Sequence, residues 1–280
     1  MPRLRDQLPS LALRLGLPIL AAWLVGAFVA GLSTTAWVRI TSLVVPALLT
    51  VLAIGLVGWS LLQSRKAKRV AGLVGDAQSA EDRKAAMERL DQDFKKTDPA
   101  AVFAKAQLQL QEDPRAALET LERIDLNKVM ANIADEARAQ RAMIHLLLGQ
   151  VTQAKTLVDG IELKRHEEPS SRALMVAVMS EAWARAGQPK RAQETLALYD
   201  PDDAAYEQVR PQLWRSKAYA AAHGNDIKAM RRSLRRLLDI DARLLAGFLG
   251  KRTHPLLLKE AKKMLEQSGA VPKKMVIQRR

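Results

Sequence analysis

The chain has 280 residues, and its 44 Lys and Arg against 30 Asp and Glu give a formal net charge of +14. It contains no cysteine, which excludes a disulfide framework, a thiolate zinc site and a cysteine nucleophile. Aromatic residues make up only 4% of the chain, which argues against a base-stacking nucleic-acid platform. The charge is uneven: residues 1–70 carry a net +7, residues 71–200 a net −3 and residues 201–280 a net +10.

Two long uncharged runs lie near the N-terminus, at residues 15–38 and 40–64. Each exceeds the roughly 20 residues that a helix needs to cross about 30 Å of hydrocarbon. We therefore predict a membrane anchor at residues 1–64, with two transmembrane helices at about 17–37 and 41–62. A cleaved signal peptide is the alternative reading of the first run, but its apolar stretch is normally shorter and a second run follows here at once.

Basic residues flank this hairpin on its two outer sides. Arg39 is the one basic residue between the spans, whereas seven basic residues lie outside them: Arg3, Arg5, Arg14, Arg65, Lys66, Lys68 and Arg69. The positive-inside rule then places both termini in the cytoplasm. The Ala- and Arg-rich, cysteine-free composition suits a bacterial inner membrane. Residues 65–80 are predicted to be a basic juxtamembrane linker.

The rest of the chain is rich in helix-favouring Ala, Leu, Arg, Glu and Gln, and no stretch alternates with the period of a strand. The sequence therefore predicts an all-α protein. Within residues 81–240 a turn residue recurs about every 37 residues, with further shared positions five, nine and twelve residues later. The four sets are Glu112, Ala117, Leu121 and Ile124; Gly149, Ala154, Val158 and Ile161; Gly187, Ala192, Leu196 and Tyr199; Gly224, Ala229, Ser233 and Arg236.

This pattern resembles the tetratricopeptide repeat (TPR) family, and the segments AWARAGQPKRAQETLALYDP and RAMIHLLLGQVTQAKTLVDGI carry the resemblance best. The resemblance implies an α-solenoid of helix-turn-helix repeats, with Gly at each turn and a small residue where the paired helices cross. The period of 37–38 is longer than the 34 residues of that family. A plain helical bundle is the alternative. Residues 241–280 are predicted to hold capping helices, at 241–249 and 255–267, and a basic tail.

No motif for catalysis, phosphate binding or metal ligation occurs, so neither an enzyme nor a cofactor is predicted. The TPR resemblance instead implies a concave groove that binds a protein partner. Counting back from each turn glycine, its positions include Met143, Glu181, Arg185 and Trp214. As alternatives, Met143 and Trp214 belong to the core, and Glu181 with Arg185 forms a surface pair one helical turn apart.

A basic surface is predicted on the last repeat. Its members are Lys228, Arg231, Arg232, Arg235 and Arg236. Such a surface attracts anionic membrane lipid or an acidic protein. Nucleic acid is disfavoured because few aromatic residues accompany the charges. The alternative is a solvated basic region that binds nothing.

Our leading hypothesis is a non-enzymatic, membrane-anchored scaffold that recruits a protein partner to the cytoplasmic face of the inner membrane. A second is a structural subunit of a larger membrane complex that docks through its basic C-terminal end. A third is an enzyme with an unrecognised active site. The layout also resembles the HemY-type membrane proteins associated with haem synthesis, although no haem-ligand arrangement accompanies it.

Overall fold

The computed structural model describes residues 79–95, 97–110, 112–250 and 252–269, together with residues 20–25 and isolated positions between 28 and 77. The chain divides into two compact units, Met1–Leu73 and Val74–Arg280. Regular structure in the described residues is all helical, with no strand among them. The predicted all-α class is therefore confirmed for this part of the chain.

In the first unit, residues 20–25 are helical, as are the separate positions 28, 42, 44, 47 and 50. The Trp23 Nε1 donates a hydrogen bond of 3.1 Å to the Thr50 Oγ1. No helix found among the described residues has the length and apolarity that crossing a bilayer requires. Apart from the positions just given, the predicted spans 17–37 and 41–62 lie outside the described residues.

The second unit is a series of short and medium-length helices. In chain order they are α1 (Ala80–Asp93), α2 (Pro99–Leu110), α3 (Pro114–Glu122), α4 (Ala131–Leu147), α5 (Val151–Val158), α6 (Pro169–Arg185), α7 (Pro189–Ala197), α8 (Arg210–His223), α9 (Ile227–Ile240), α10 (Arg243–Ala246) and α11 (Pro255–Gln267). Two 3-10 turns, Leu163–Arg165 and Ala204–Val209, lie in the connections.

Helix starts follow local signals in the sequence. Pro114, Pro169, Pro189 and Pro255 each begin a helix, where the missing proline N–H removes no hydrogen bond. Before α1, the Ser79 hydroxyl accepts from the Asp82 backbone N–H, and the Asp82 carboxylate accepts from the Ser79 N–H. These local signals account for where the helices begin.

Consecutive helices pack as pairs: α2 with α3, α4 with α5, α6 with α7, and α8 with α9. The first helix of each pair also packs against the first helix of the next pair. Gly149 and Gly187 turn the chain between paired helices with φ of +73° and +83°, a region that favours glycine. The alanines at the predicted crossing points, Ala117, Ala154 and Ala192, are fully buried.

The predicted register of the last pair was wrong by one residue. Gly224 ends α8 with an ordinary φ of −87°, and the next residue, Asn225, takes the left-handed conformation with φ of +57°. Asparagine tolerates that region better than most residues. The core positions of α9 are therefore Met230, Leu234 and Leu237, all nearly inaccessible. Of the positions predicted from Gly224, Ser233 is also buried at 3% exposure, Ala229 is partly buried and Arg236 is exposed.

The C-terminal part of the unit closes over α8 and α9. The helix predicted at 255–267 is confirmed as α11, whereas the helix predicted at 241–249 is reduced to the four residues of α10. The shortening places Phe248 in the core, 1% exposed, with its ring centroid 5.4 Å from that of Tyr219. Gly247 and Gly250 on either side disfavour continued helix.

Candidate partner-binding cleft

An apolar cleft of about 230 Å³ runs along the first helices of successive pairs. Helices α4, α6 and α8 supply most of its walls, and α2, α9 and α10 each contribute one leucine. Its lining residues are Leu110, Met143, Leu146, Leu147, Leu174, Ala177, Val178, Glu181, Pro211, Gln212, Arg215, Ser216, Leu237 and Leu244. The lining residues therefore range from 110 to 244 along the chain. They lie close together because the helical pairs stack on one another.

Two leucines of the cleft remain open to solvent. Leu147 is 44% exposed at the end of α4, and Leu174 is 36% exposed in the first half of α6. Exposing large aliphatic side chains has a hydrophobic cost, and covering them is favourable by about 25 cal/mol per Å² of apolar surface. Exposed apolar side chains that lie together in this way are typical of binding surfaces, which makes the cleft the candidate site.

The polar side of the cleft is a buried ion network centred on Glu181, which is 5% exposed. The Arg185 Nη1 donates to the Glu181 Oε1 at 3.1 Å and to the Leu146 carbonyl at 3.0 Å. The Arg215 Nε donates to the Glu181 Oε2 at 3.0 Å, and its Nη2 to the Oε1 at 3.3 Å. One carboxylate therefore joins α6 to α8, and Arg185 continues the network to α4.

This network has a clear electrostatic consequence. The Glu181 charge raises the pKa of Arg215 above its ordinary value despite burial. Burial, followed by the same carboxylate, raises the pKa of Tyr219, so its hydroxyl is neutral at physiological pH. Nearby, the Ser216 Oγ donates to the Ala177 carbonyl at 2.7 Å and fixes α8 on α6. These bonds tie the α6 and α8 walls of the cleft to each other.

The structure brings together three of the four residues predicted for the groove. Met143 and Glu181 line the cleft, and Arg185 contacts Glu181. The Glu181–Arg185 pair is buried, with both side chains 7% exposed, so it is no surface pair. Trp214 lies elsewhere: it is 8% exposed, packs in the core of α8, α9 and α11, and borders a different cavity.

The one-residue shift at Asn225 explains the placement of Trp214. Trp214 was counted ten residues back from Gly224, but the same count from Asn225 reaches Arg215, which does line the cleft. The sequence also missed Leu147 and Leu174. Their exposure depends on how neighbouring pairs stack, and a single sequence gives no direct signal of that.

A separate, basic recess lies beside the cleft. His223 and His254 face each other with ring centroids 4.7 Å apart, and Arg185 and Arg252 line the same recess. Burial, together with the charges of His254 and Arg185, lowers the pKa of His223 to about 4. His223 is therefore neutral at pH 7, and its ring acts there as a packing group.

The predicted basic residues all lie on the exposed side of α9. Among the described residues, no group of three or more His, Cys, Asp or Glu side chains is positioned to hold a metal ion. No protein-family model matches this chain, and no curated protein or solved structure matches it either. The cleft and the basic side of α9 are therefore the two candidate functional surfaces of the second unit.

Proposed function

We propose that this protein is a non-enzymatic, membrane-anchored scaffold whose TPR-like α-solenoid recruits a protein partner at the cytoplasmic face of a bacterial inner membrane. The observation that carries the proposal is the apolar cleft along α4, α6 and α8, with its partly exposed leucines Leu147 and Leu174. A surface assembled from successive helical pairs is extended and rigid, which suits it to binding an elongated partner.

The occupant that best fits this cleft is an amphipathic helix of the partner. Such a helix presents large apolar side chains at spacings of three and four residues, and a groove between helices accepts them. Arg215, whose side chain is 31% exposed, lies at the polar wall and offers a cation to a carboxylate or carbonyl group. The other cation of this wall, Arg185, is buried and already paired with Glu181. The partner therefore does not have to supply a counter-charge for it.

The proposed anchor rests on charge and apolarity in the first unit. Leu20, Leu24 and Phe28 are spaced four residues apart and are 60%, 64% and 69% exposed, which suits side chains that contact lipid. The Trp23–Thr50 hydrogen bond joins residues of the two proposed spans, as a helical hairpin requires. The basic residues on the outer sides of the spans support a cytoplasmic second unit.

A second candidate function is docking as a structural subunit of a larger membrane complex. The observation that favours it is the exposed basic side of α9, where Lys228, Arg232 and Arg235 make no ion pair within the described residues. An acidic subunit would bind there and not in the cleft. The two functions therefore predict different sensitive residues.

Site-specific photo-crosslinking of the full chain in cells tests the cleft. A photoreactive residue at Leu174 should form an adduct with a defined protein, because it faces the bound helix. The matched control is Leu198, which is 79% exposed but lies outside the cleft. The adduct at position 174 should fall at least tenfold when Leu147→Glu is also present. Equal adducts at 174 and 198, or no protein adduct at 174, would contradict the proposal.

A further inference from the structure

Helix α9 is strongly amphipathic, with an apolar side and a basic side. Met230, Leu234 and Leu237 face the core and are at most 1% exposed. The opposite side carries five exposed basic residues: Lys228, Arg231, Arg232, Arg235 and Arg236. At about 100° per residue these five cover an arc of roughly 140°. Packing of the core side therefore holds the basic side outward.

Among the described residues, ion pairs form only at the two edges of this arc. Arg231 forms a bidentate pair with Glu260, with N···O distances of 2.9 and 2.7 Å. Arg236 pairs with Asp202 at 3.2 Å. Between them, Lys228, Arg232 and Arg235 have no ion pair to any residue in the described ranges, and they lie at spacings of four and three residues on one side of the helix. The exposed Asp239 lies on the same side of α9 but forms no ion pair with them in the described ranges, so three cations stand beside one carboxylate and the central group stays net positive.

The positive surface continues onto α11. Lys259 and Lys263 are exposed on either side of Glu260, and together with Arg231 they lower the pKa of that carboxyl. Glu260 therefore stays ionised, but its single negative charge neutralises only one of the three positive charges around it. The combined surface of α9 and α11 is a broad, outward-facing basic area.

We propose that this basic surface binds the headgroups of anionic phospholipids. Headgroup binding needs charge and little shape complementarity, which suits an outward helical surface. Ile227 and Ile240, 45% and 43% exposed, border the arc and suit the apolar side of a membrane interface. The nearest aromatic side chain, Trp214, is 8% exposed, so the surface offers no platform for stacking nucleic-acid bases. The inference rests on the proposed membrane anchor and is independent of the cleft.

The size of the effect follows from the number of unpaired cations. Each Lys or Arg near an anionic surface favours binding by about fivefold. Reversal of the three central charges should therefore weaken binding by at least a hundredfold. Because these charges are exposed, raising the salt concentration to about 0.5 M, where the screening length is about 4 Å, should weaken it as well.

The test uses the full chain in nanodiscs of phosphatidylcholine, with or without about 30% phosphatidylglycerol. The chain has no cysteine, so a single cysteine at Ile227 accepts a fluorophore that spin-labelled lipids quench on contact. Quenching should appear in the anionic discs alone and disappear in the triple variant Lys228→Glu, Arg232→Glu, Arg235→Glu. A fluorophore at Leu198 is the control and should stay unquenched in both discs.

Equal quenching with and without phosphatidylglycerol, or quenching that survives the triple variant, would overturn the lipid proposal. Failure of the chain to enter either disc would count against the anchor alone. In that case cosedimentation of the chain with vesicles of the same two compositions decides the lipid question, with the same triple variant as control.

Discussion

Replacement of Glu181 by alanine should lower the free energy of unfolding by about 3 kcal/mol, because it leaves two arginines without their shared carboxylate. The Arg185 side chain is 7% exposed, so water can hardly solvate its unpaired charge. The Arg215 side chain is 31% exposed, so water solvates its charge only in part. The two guanidinium groups would then face each other across the wall of the cleft. The full chain in detergent, unfolded with urea and followed by circular dichroism at 222 nm, gives the measurement.

Arg185→Met provides the matched comparison for that variant. It removes one cation but leaves the Glu181–Arg215 pair intact, so we expect a loss of about 1–2 kcal/mol. The informative result is which of the two variants loses more free energy of unfolding. A Glu181→Ala chain as stable as Arg185→Met would show that the network is not the electrostatic centre that its geometry indicates.

Leu234→Ala should also lower the free energy of unfolding by about 3 kcal/mol. Leu234 is fully buried among α8, α9 and α11, so the substitution removes apolar contacts and opens a cavity. The adjacent variant Arg235→Ala should change the stability by no more than about 0.5 kcal/mol, because that side chain is exposed and makes no ion pair in the described part of the chain. The same urea titration serves for both.

This pair of variants also tests the register of α9. Ser233, the position counted from Gly224, is buried as well, but Leu234 supplies the large apolar side chain of this helical turn. A small effect of Leu234→Ala would contradict the register that begins at Asn225. The structure predicts a large effect.

The sequence predicted the all-helical class and two of the turns in the second unit because their signals are local. Proline at helix starts and glycine at Gly149 and Gly187 act within a few residues, and the buried alanines follow at a fixed offset from the turns. The third turn was misread because glycine and asparagine are adjacent there, and both are compatible with a turn. Only the packing of α9 decides which of the two takes the left-handed conformation.

The cleft was predicted in part for a related reason. Met143 and Glu181 follow from counting within one hairpin, whereas Arg215 requires the corrected register of the next. Leu147 and Leu174 are invisible to such counting, because their exposure depends on neighbouring pairs that lie about 40 residues away along the chain. The membrane anchor and its orientation stay predictions from charge and hydropathy.

The central claim is that the cleft recruits a defined protein partner to the membrane. Quantitative co-purification of the tagged full chain after crosslinking in cells tests it most directly. We expect a short, reproducible list of partners that falls at least tenfold with Leu174→Asp and persists with the triple charge reversal on α9. Both variants should unfold at the wild-type urea midpoint, since the altered side chains are partly or fully exposed. Partners that persist with Leu174→Asp but disappear on charge reversal would contradict the claim and identify α9 as the docking surface.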